Sequence, residues 1–435
     1  MRISLKPAEI GNVCIMLFFG TLGYIPILMP NTGGANSGHG QTEQVHGIDH
    51  VILAVIWAGI FYLLFRSRFH LRLDLFACKV AFFYSSVSLA GALFSRDPIG
   101  AMSGSVAIVM STVYAIYLIS KFPIERLVII LGWTILVLAL ATAAFVVALP
   151  AYGLDHFSHG GAWQGVFHQK NSLGFVMTLG VGIGLCMRPA NVRGRIFKWA
   201  VVFLSLAEVG LSLSREAWVI CLLVVMLDFL VKLLNRFQKK SRVAIILISL
   251  LVAFPIVSVV ATNWTEILTS LGRDATLTGR VPLWGAVLQV CRLHPWVGLH
   301  GEGFWGTPEA ERVYAIVHWS PTSAHNGFIE CLLIMGIAGL LPLIVLFGIA
   351  FRGGYKVITT MDDFEASRLW IYSVMVIFSF NLIQTTTGQA NSIGWVMLVA
   401  SACMLDANSS ARVPAAAYAY RPREMTTKVG SLVRL

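Results

Sequence analysis

The chain has 435 residues, 57% of them hydrophobic and 12% charged, with a mean hydropathy of +0.76. No soluble globular domain needs that much apolar side chain for its core, so an aqueous multidomain protein is excluded in favour of one helical membrane bundle. The net charge of +11 is accounted for by loop bias and attraction to anionic headgroups, without nucleic acid.

Apolar stretches near bilayer-spanning length fall at 10–29, 50–65, 75–94, 101–120, 127–150, 171–187, 199–213, 217–234, 243–262, 327–350, 369–387 and 389–405. They predict an all-α bundle of about twelve transmembrane helices, several of them short. Two basic residues precede the first stretch and no small-residue cleavage site follows it, so an uncleaved signal anchor is expected.

With the N-terminus inside, 24 of the 32 basic residues fall in cytoplasmic segments and seven outside, namely Arg96, Lys170, Arg215, Arg273, Arg280, Arg292 and Arg312. Both termini are therefore predicted to be cytoplasmic. The inner loops, RSRFHLR, KFPIER, RPANVRGRIFK and NRFQKKSR, read as plain basic anchors, and the tail RVPAAAYAYRPREMTTKVGSLVRL as a flexible extension. Of seven cysteines only Cys291 falls in an outer loop, which leaves no disulfide framework and makes the rest small apolar fillers.

The outer side carries the polar chemistry. Ten of the eleven histidines lie there or at an outer helix end, His70 being the exception. One loop spans 151–170 and a much larger one 263–326. Within the larger loop a helix is expected from about Val281 to Leu293, capped by Thr278 or Gly279 and ended by Pro295. Its apolar face would hold Val281, Trp284, Leu288 and Cys291, and it would lie across the mouth of the bundle.

Arg280 opens that helix, where free backbone N–H groups and the positive dipole end already favour an anion, and a guanidinium adds a two-pronged donor for phosphate; a solvated surface arginine or a phospholipid-headgroup contact is the plainer alternative. Arg215, in LSLSREAWVI, is expected to face a polar cavity, with Glu216 beside it and Glu208 about two turns back on the same helix; a surface ion pair is the plainer alternative. Lys170 and Asn171, in GVFHQKNSLGF, place an ammonium and an amide at another helix start. His325 follows Thr322 or Ser323, either of which can cap a helix starting near Asn326. The positive helix end would keep the ring neutral and able to take a proton, although an interfacial histidine with a satisfied hydrogen bond explains the residue equally well.

There is no HExxH, CxxC, GxSxG or outer DxD, and His156 with His159 offers too few ligands for a metal. No metal and no cofactor is expected. A phosphate-bearing donor handled by fixed cations fits the pattern better.

Four stretches in order, GVFHQKN (165–171), LSLSREAW (211–218), TGRVPLWGAVLQVCRLHPWVGLHGEGFW (278–305) and SAHNGFIECLLIMGIAGL (323–340), resemble the bacterial O-antigen ligase and polymerase family (Wzy-C-like), in particular the rhizobial exopolysaccharide repeat-unit polymerases. The resemblance covers roughly residues 160–345 and implies a GT-C-like, inverting, metal-independent glycosyltransferase acting on oligosaccharides carried by undecaprenyl pyrophosphate. It implies N-terminal membrane helices in 1–160, the catalytic region in 161–350, C-terminal membrane helices in 351–405 and a cytoplasmic tail in 406–435. Arg215 and Arg280 would grip the pyrophosphate, Lys170 would support the donor phosphates or sugar, and His325 would be the base or orienting group for the acceptor hydroxyl.

Asn171, Asn326, Glu330, Trp284 and His168 would be supporting residues. Implied partners are the lipid-linked donor and acceptor, a chain-length regulator and a flippase. The chain departs from the pattern at Ile334 and Met335, where many relatives carry a carboxylate before the glycine, and at Glu216 and Gln169. Ligation of glycan to a lipid or protein is the alternative within the family, and a polytopic transporter the alternative outside it. Against transport, the polar set lies at one face and no repeated halves are visible.

Overall fold

The computed structural model describes residues 3–21, 46–67, 74–95, 97–156, 160–262, 279–299, 304–305, 307–361, 364–387 and 391–409. His70, His159, Arg96, Arg273, Thr278, His300, Glu302, most of the N-terminal segment after the first helix and all but the start of the tail lie outside these residues.

In chain order the helices are α1 (Pro7–Gly20), α2 (His46–Ser67), α3 (Phe76–Ala92), α4 (Pro98–Lys121), α5 (Ile124–Ala148), the single turn α6 (Pro150–Gly153), α7 (Lys170–Cys186), α8 (Val192–Leu211), α9 (Arg215–Asn235), α10 (Lys239–Thr262), α11 (Arg280–Leu293), α12 (Pro308–Val317), α13 (Gly327–Thr360), α14 (Arg368–Asn381) and α15 (Ile393–Ser409). Among the described residues each predicted apolar stretch overlaps a helix, the first only up to Gly20 and the stretch 369–387 only up to Asn381. Four of these, α4, α5, α9 and α13, are long and apolar enough to cross a membrane. The architecture is all-α, with a single two-residue strand pair, Leu154–Asp155 antiparallel to Ala162–Trp163, between α6 and α7 among the described residues.

The main core gathers α3, α4, α7, α9, α13, α14 and α15, with Trp370, Trp395, Tyr84 and Tyr372 fully enclosed. Their polar tips are satisfied where the side chains meet: Trp395 Nε1 donates to Thr112 Oγ1 at 2.9 Å and Tyr372 OH to Asp228 Oδ1 at 2.9 Å. A second, smaller core joins α11 and α12 to α13 through Leu283, Ala286, Val287, Cys291, Val313 and Leu333. The face that α11 buries is therefore one position displaced from the expected one. Val281 and Leu288 are exposed, because the helix packs sideways on α12 and α13. Helix α12 was not anticipated, although Thr307 as N-cap, Pro308 in the first turn and Glu309 with Glu311 at the positive dipole end spell a helix start.

Two basic residues, Arg242 from an expected anchor loop and Arg368, are buried rather than at the surface. Arg242 is buried and donates to the carbonyls of Leu234, Phe237, Ile358 and Met361, closing the C-terminal ends of α9 and α13. Arg368, also buried, pairs with Asp228 and with Glu365 at 2.7 Å, and donates to Tyr372 OH at 2.9 Å. Lys232 reaches the second Asp228 oxygen at 2.6 Å. Asp228→Ala would leave the buried Arg368 with Glu365 as its one remaining carboxylate partner, and we expect a loss of up to about 3 kcal/mol, read as a fall in membrane-extracted, monodisperse protein. Unchanged accumulation of the Asp228→Ala protein would contradict this assignment.

Asp228 lies about 20 Å along α9 from Arg215 and Glu216, which begin that helix, and Arg242 closes its far end. The two polar clusters thus occupy opposite ends of the bundle.

Candidate functional site

The cluster that gathers the candidate residues is built on three helix starts and one loop. Helix α9 begins at Arg215, after Ser212–Ser214 break it from α8; Leu213 takes a left-handed φ of 50° and Ser212 Oγ accepts from Ser214 N at 3.2 Å. Glu208 is consequently not on the same helix as Arg215, as was expected. It lies on α8, 2% exposed, and its Oε2 has no hydrogen-bond partner among the described residues. Arg215 itself is exposed.

Arg280 is the first residue of α11, directly after Gly279, whose φ of 82° suits glycine at this turn. Both guanidinium nitrogens approach one oxygen of Glu216, Nη1 at 3.3 Å and Nη2 at 3.4 Å. The pair is loose and single-sided, so other Arg280 N–H groups stay available to an anion. The other Glu216 oxygen accepts from Gln384 Nε2 at 2.8 Å, and Gln384 Oε1 stands 3.4 Å from His325 Nδ1. Arg280, Glu216, Gln384 and His325 form one continuous chain.

His325 sits on a turn that several neighbours hold in place. Its φ of 48° is uncommon for a residue with a Cβ. Glu330, buried at 7% exposure, accepts from Ala324 N at 2.5 Å and from Trp305 Nε1 at 2.8 Å. Trp284 Nε1 donates to Ala324 O at 2.9 Å, and Trp319 stacks on the imidazole with centroids 5.8 Å apart. Glu330 and Trp284 therefore fix the backbone before His325 rather than the ring. Burial, then the nearby Arg280 charge, lowers the His325 pKa to about 4, with the Gln384 contact acting weakly the other way. The ring is neutral at neutral pH, with burial rather than the helix end as the first cause.

The cap of α13 is Asn326, not Thr322 or Ser323: Asn326 Oδ1 accepts from Phe328 N and Ile329 N at 3.0 and 3.1 Å, while Ser323 Oγ accepts from His325 N. Asn326 Nδ2 donates to Leu382 O at 2.9 Å, tying the turn to the loop after α14. Gly327 is needed because Asn381 Oδ1 lies where a Cβ would stand, 1.8 Å from it. Lys170 and Asn171 open α7, which packs on the start of α9: a Cβ on Gly174 would meet Ala217 at 2.6 Å and Ser214 at 3.2 Å. His168 is exposed just ahead of α7, and His156 contacts Pro150 O at 3.0 Å. Among the described residues no three His, Cys, Asp or Glu side chains converge as a metal site would require.

Helix α13 is broken at Gly336, whose φ of 61° and ψ of −160° only glycine adopts readily. The segment after α11 docks into the break: Ile337 N donates to Pro295 O at 2.8 Å, Ala338 N to Trp296 O at 2.9 Å and Leu299 N to Leu333 O at 2.9 Å. Gly298 and Gly336 touch back to back, the Cβ position of each falling within 2.6 Å of the other segment's backbone. Gly336→Ala is expected to cost about 2 kcal/mol or more through backbone strain and displacement of this segment, seen as a lower melting temperature. An unchanged melting temperature would show that the docking contributes little.

Gln384 escaped notice in the sequence because the apolar stretch 369–387 appeared to place it inside a span. The helix instead ends at Asn381, whose Oδ1 gathers Thr387 Oγ1 at 2.7 Å and Thr387 N at 3.2 Å. The polar run QTTTGQAN was the available signal.

The fold and site together define a helical membrane protein with a cation, carboxylate, amide and imidazole chain at one end of its bundle. Residues 200–344 match the family described as O-Antigen ligase (Wzy_C), which confirms the resemblance carried by three of the four motifs; GVFHQKN lies outside the match. The chain is also 26% identical over 227 residues to "Exopolysaccharide production protein ExoQ" of Rhizobium meliloti (strain 1021). That similarity covers 46% of this chain and 48% of ExoQ, so the chain matches about half the length of this curated relative.

Proposed function

We propose that the protein is a membrane glycosyltransferase that polymerises undecaprenyl-pyrophosphate-linked oligosaccharide repeat units into exopolysaccharide. In this reading it works at the periplasmic face of the bacterial inner membrane, with about twelve crossings in a GT-C-like bundle and both termini cytoplasmic. The observation that carries the reading is the Arg280–Glu216–Gln384–His325 chain, of which Arg280, Glu216 and His325 fall in the segment that matches the O-antigen ligase family and Gln384 lies beyond it.

The acceptor hydroxyl oxygen attacks the anomeric carbon of the donor sugar from the face opposite the leaving group, and its proton passes to His325 Nε2. The bond from that carbon to the phosphate oxygen breaks, and undecaprenyl pyrophosphate leaves with the electron pair. Arg280 and Arg215, supported by Lys170, stabilise the charge that develops on it. Direct displacement inverts the anomeric configuration, and no metal takes part in these steps.

Analysis of glycans in a strain lacking the protein tests the reading. Accumulated lipid-linked single repeats, with polymer restored by the intact chain, support polymerisation. The family description itself favours one second reading, ligation of finished glycan to a lipid or protein, for which unattached long polymer would accumulate instead. Wild-type glycan in both pools would overturn both.

A further inference from the structure

The loop between α14 and α15 carries a side chain that no motif points to. Gln384 is 6% exposed, and its backbone N–H is anchored on Phe380 O at 2.7 Å. Asn381 Oδ1 accepts from Thr386 and Thr387, Ser392 Oγ donates to Thr386 O at 3.1 Å, and Asn326 holds Leu382 O. The amide is thereby presented in one place, between Glu216 and His325.

Its orientation follows from what each neighbour can do. Glu216, an ionised carboxylate paired with Arg280, only accepts, so Gln384 must turn its NH₂ toward it. That leaves the amide oxygen toward the imidazole, and an oxygen there requires the proton on His325 Nδ1. Nε2 is then the nitrogen with the free lone pair. We propose that Gln384 is a positioning residue that sets the tautomer and orientation of His325 and couples it to the Glu216–Arg280 pair.

An amide suits this task better than a carboxylate. It fixes the tautomer without adding a negative charge that would favour the imidazolium or compete for Arg280. The charged groups around the ring are Arg280 from α11, Glu216 from α9 acting through the amide, with Arg215 beside it, and Glu330 from α13 beneath the turn. The proposal rests on His325 acting as the base.

The test uses the full chain in lipid nanodiscs, with wild type, Gln384→Met and Gln384→Glu. The first readout needs no substrate. Diethyl pyrocarbonate modifies the neutral imidazole, and peptide mass spectrometry follows His325 alone against pH. Gln384→Glu should move the midpoint of that modification upward by about one pH unit or more, because a carboxylate now faces the ring. The second readout uses lipid-linked repeat units isolated from a strain lacking the protein. Gln384→Met should lower kcat by at least about tenfold, as loss of a correctly oriented base does, with the donor KM within about twofold.

An unmoved midpoint in well-folded Gln384→Glu overturns the proposal. So does a Gln384→Met protein with unchanged kcat, or one in which kcat falls only in proportion to folded protein. Should His325→Ala polymerise normally, the base assignment fails, while the modification midpoint still reports whether Gln384 governs the ring.

Discussion

Replacing His325 with alanine is expected to lower the rate of polymer formation by about 10²–10⁴-fold, the contribution of a positioned general base, while the protein still accumulates in the membrane. The ring supports this expectation because it is neutral and held from several sides. Trp319 stacks on it, Gln384 meets Nδ1, and Glu330 with Trp284 secures the preceding residue. With its pKa lowered to about 4, the ring keeps its free lone pair down to mildly acidic pH. Activity should hold level between about pH 5 and 7, then fall as the ring protonates below that. The linkage has a definite sign: the unfolded ring takes up its proton at its usual 6.5 and the folded ring only near 4, so stability contributed at neutral pH is lost as pH falls through that window. Normal polymer from His325→Ala, or an acid limb near pH 6.5, would overturn the role.

Arg280→Ala should cost about 10²–10³-fold, the range for removing one fixed donor to developing negative charge. Its guanidinium touches Glu216 through one oxygen only, at 3.3 and 3.4 Å, and is partly open to solvent. A phosphate can therefore reach its remaining N–H groups without breaking a tight ion pair. Arg280→Lys should recover little, because an ammonium cannot span two oxygens in one plane. The double variant Arg280→Ala, Glu216→Gln separates charge loss from site collapse. If it restored polymer formation, the defect of the single variant would come from an unpaired Glu216, and the donor role of Arg280 would fall. Arg215→Ala is expected to abolish polymer formation as well, since its exposed position beside Glu216 leaves it free to meet the same anion.

The composition and apolar spacing determined that this is a helical chain built for lipid, and among the described residues each predicted apolar stretch overlaps a helix, because a bilayer demands long apolar segments that satisfy their own backbone. The helix opened by Arg280 and the start near Asn326 were also legible, since caps, prolines and glycines act within a few residues of where they stand.

What spacing alone could not decide was set by contacts between distant segments. Glu216 and Gln384 lie 168 positions apart yet meet at 2.8 Å. Arg242 reads as a surface anchor, but packing turned it inward onto carbonyls, as it turned Arg368 onto carboxylates. Gly298 and Gly336 look like two unrelated motif glycines until a broken helix brings their backbones together. The sequence by itself named His325 and Arg280, because a charge or an imidazole at a membrane threshold is conspicuous by chemistry. Only the tertiary structure supplied the amide between them, because the polar run that holds Gln384 marks a break in the apolar stretch without saying what it meets, and hydrogen bonds across the bundle are made by the fold.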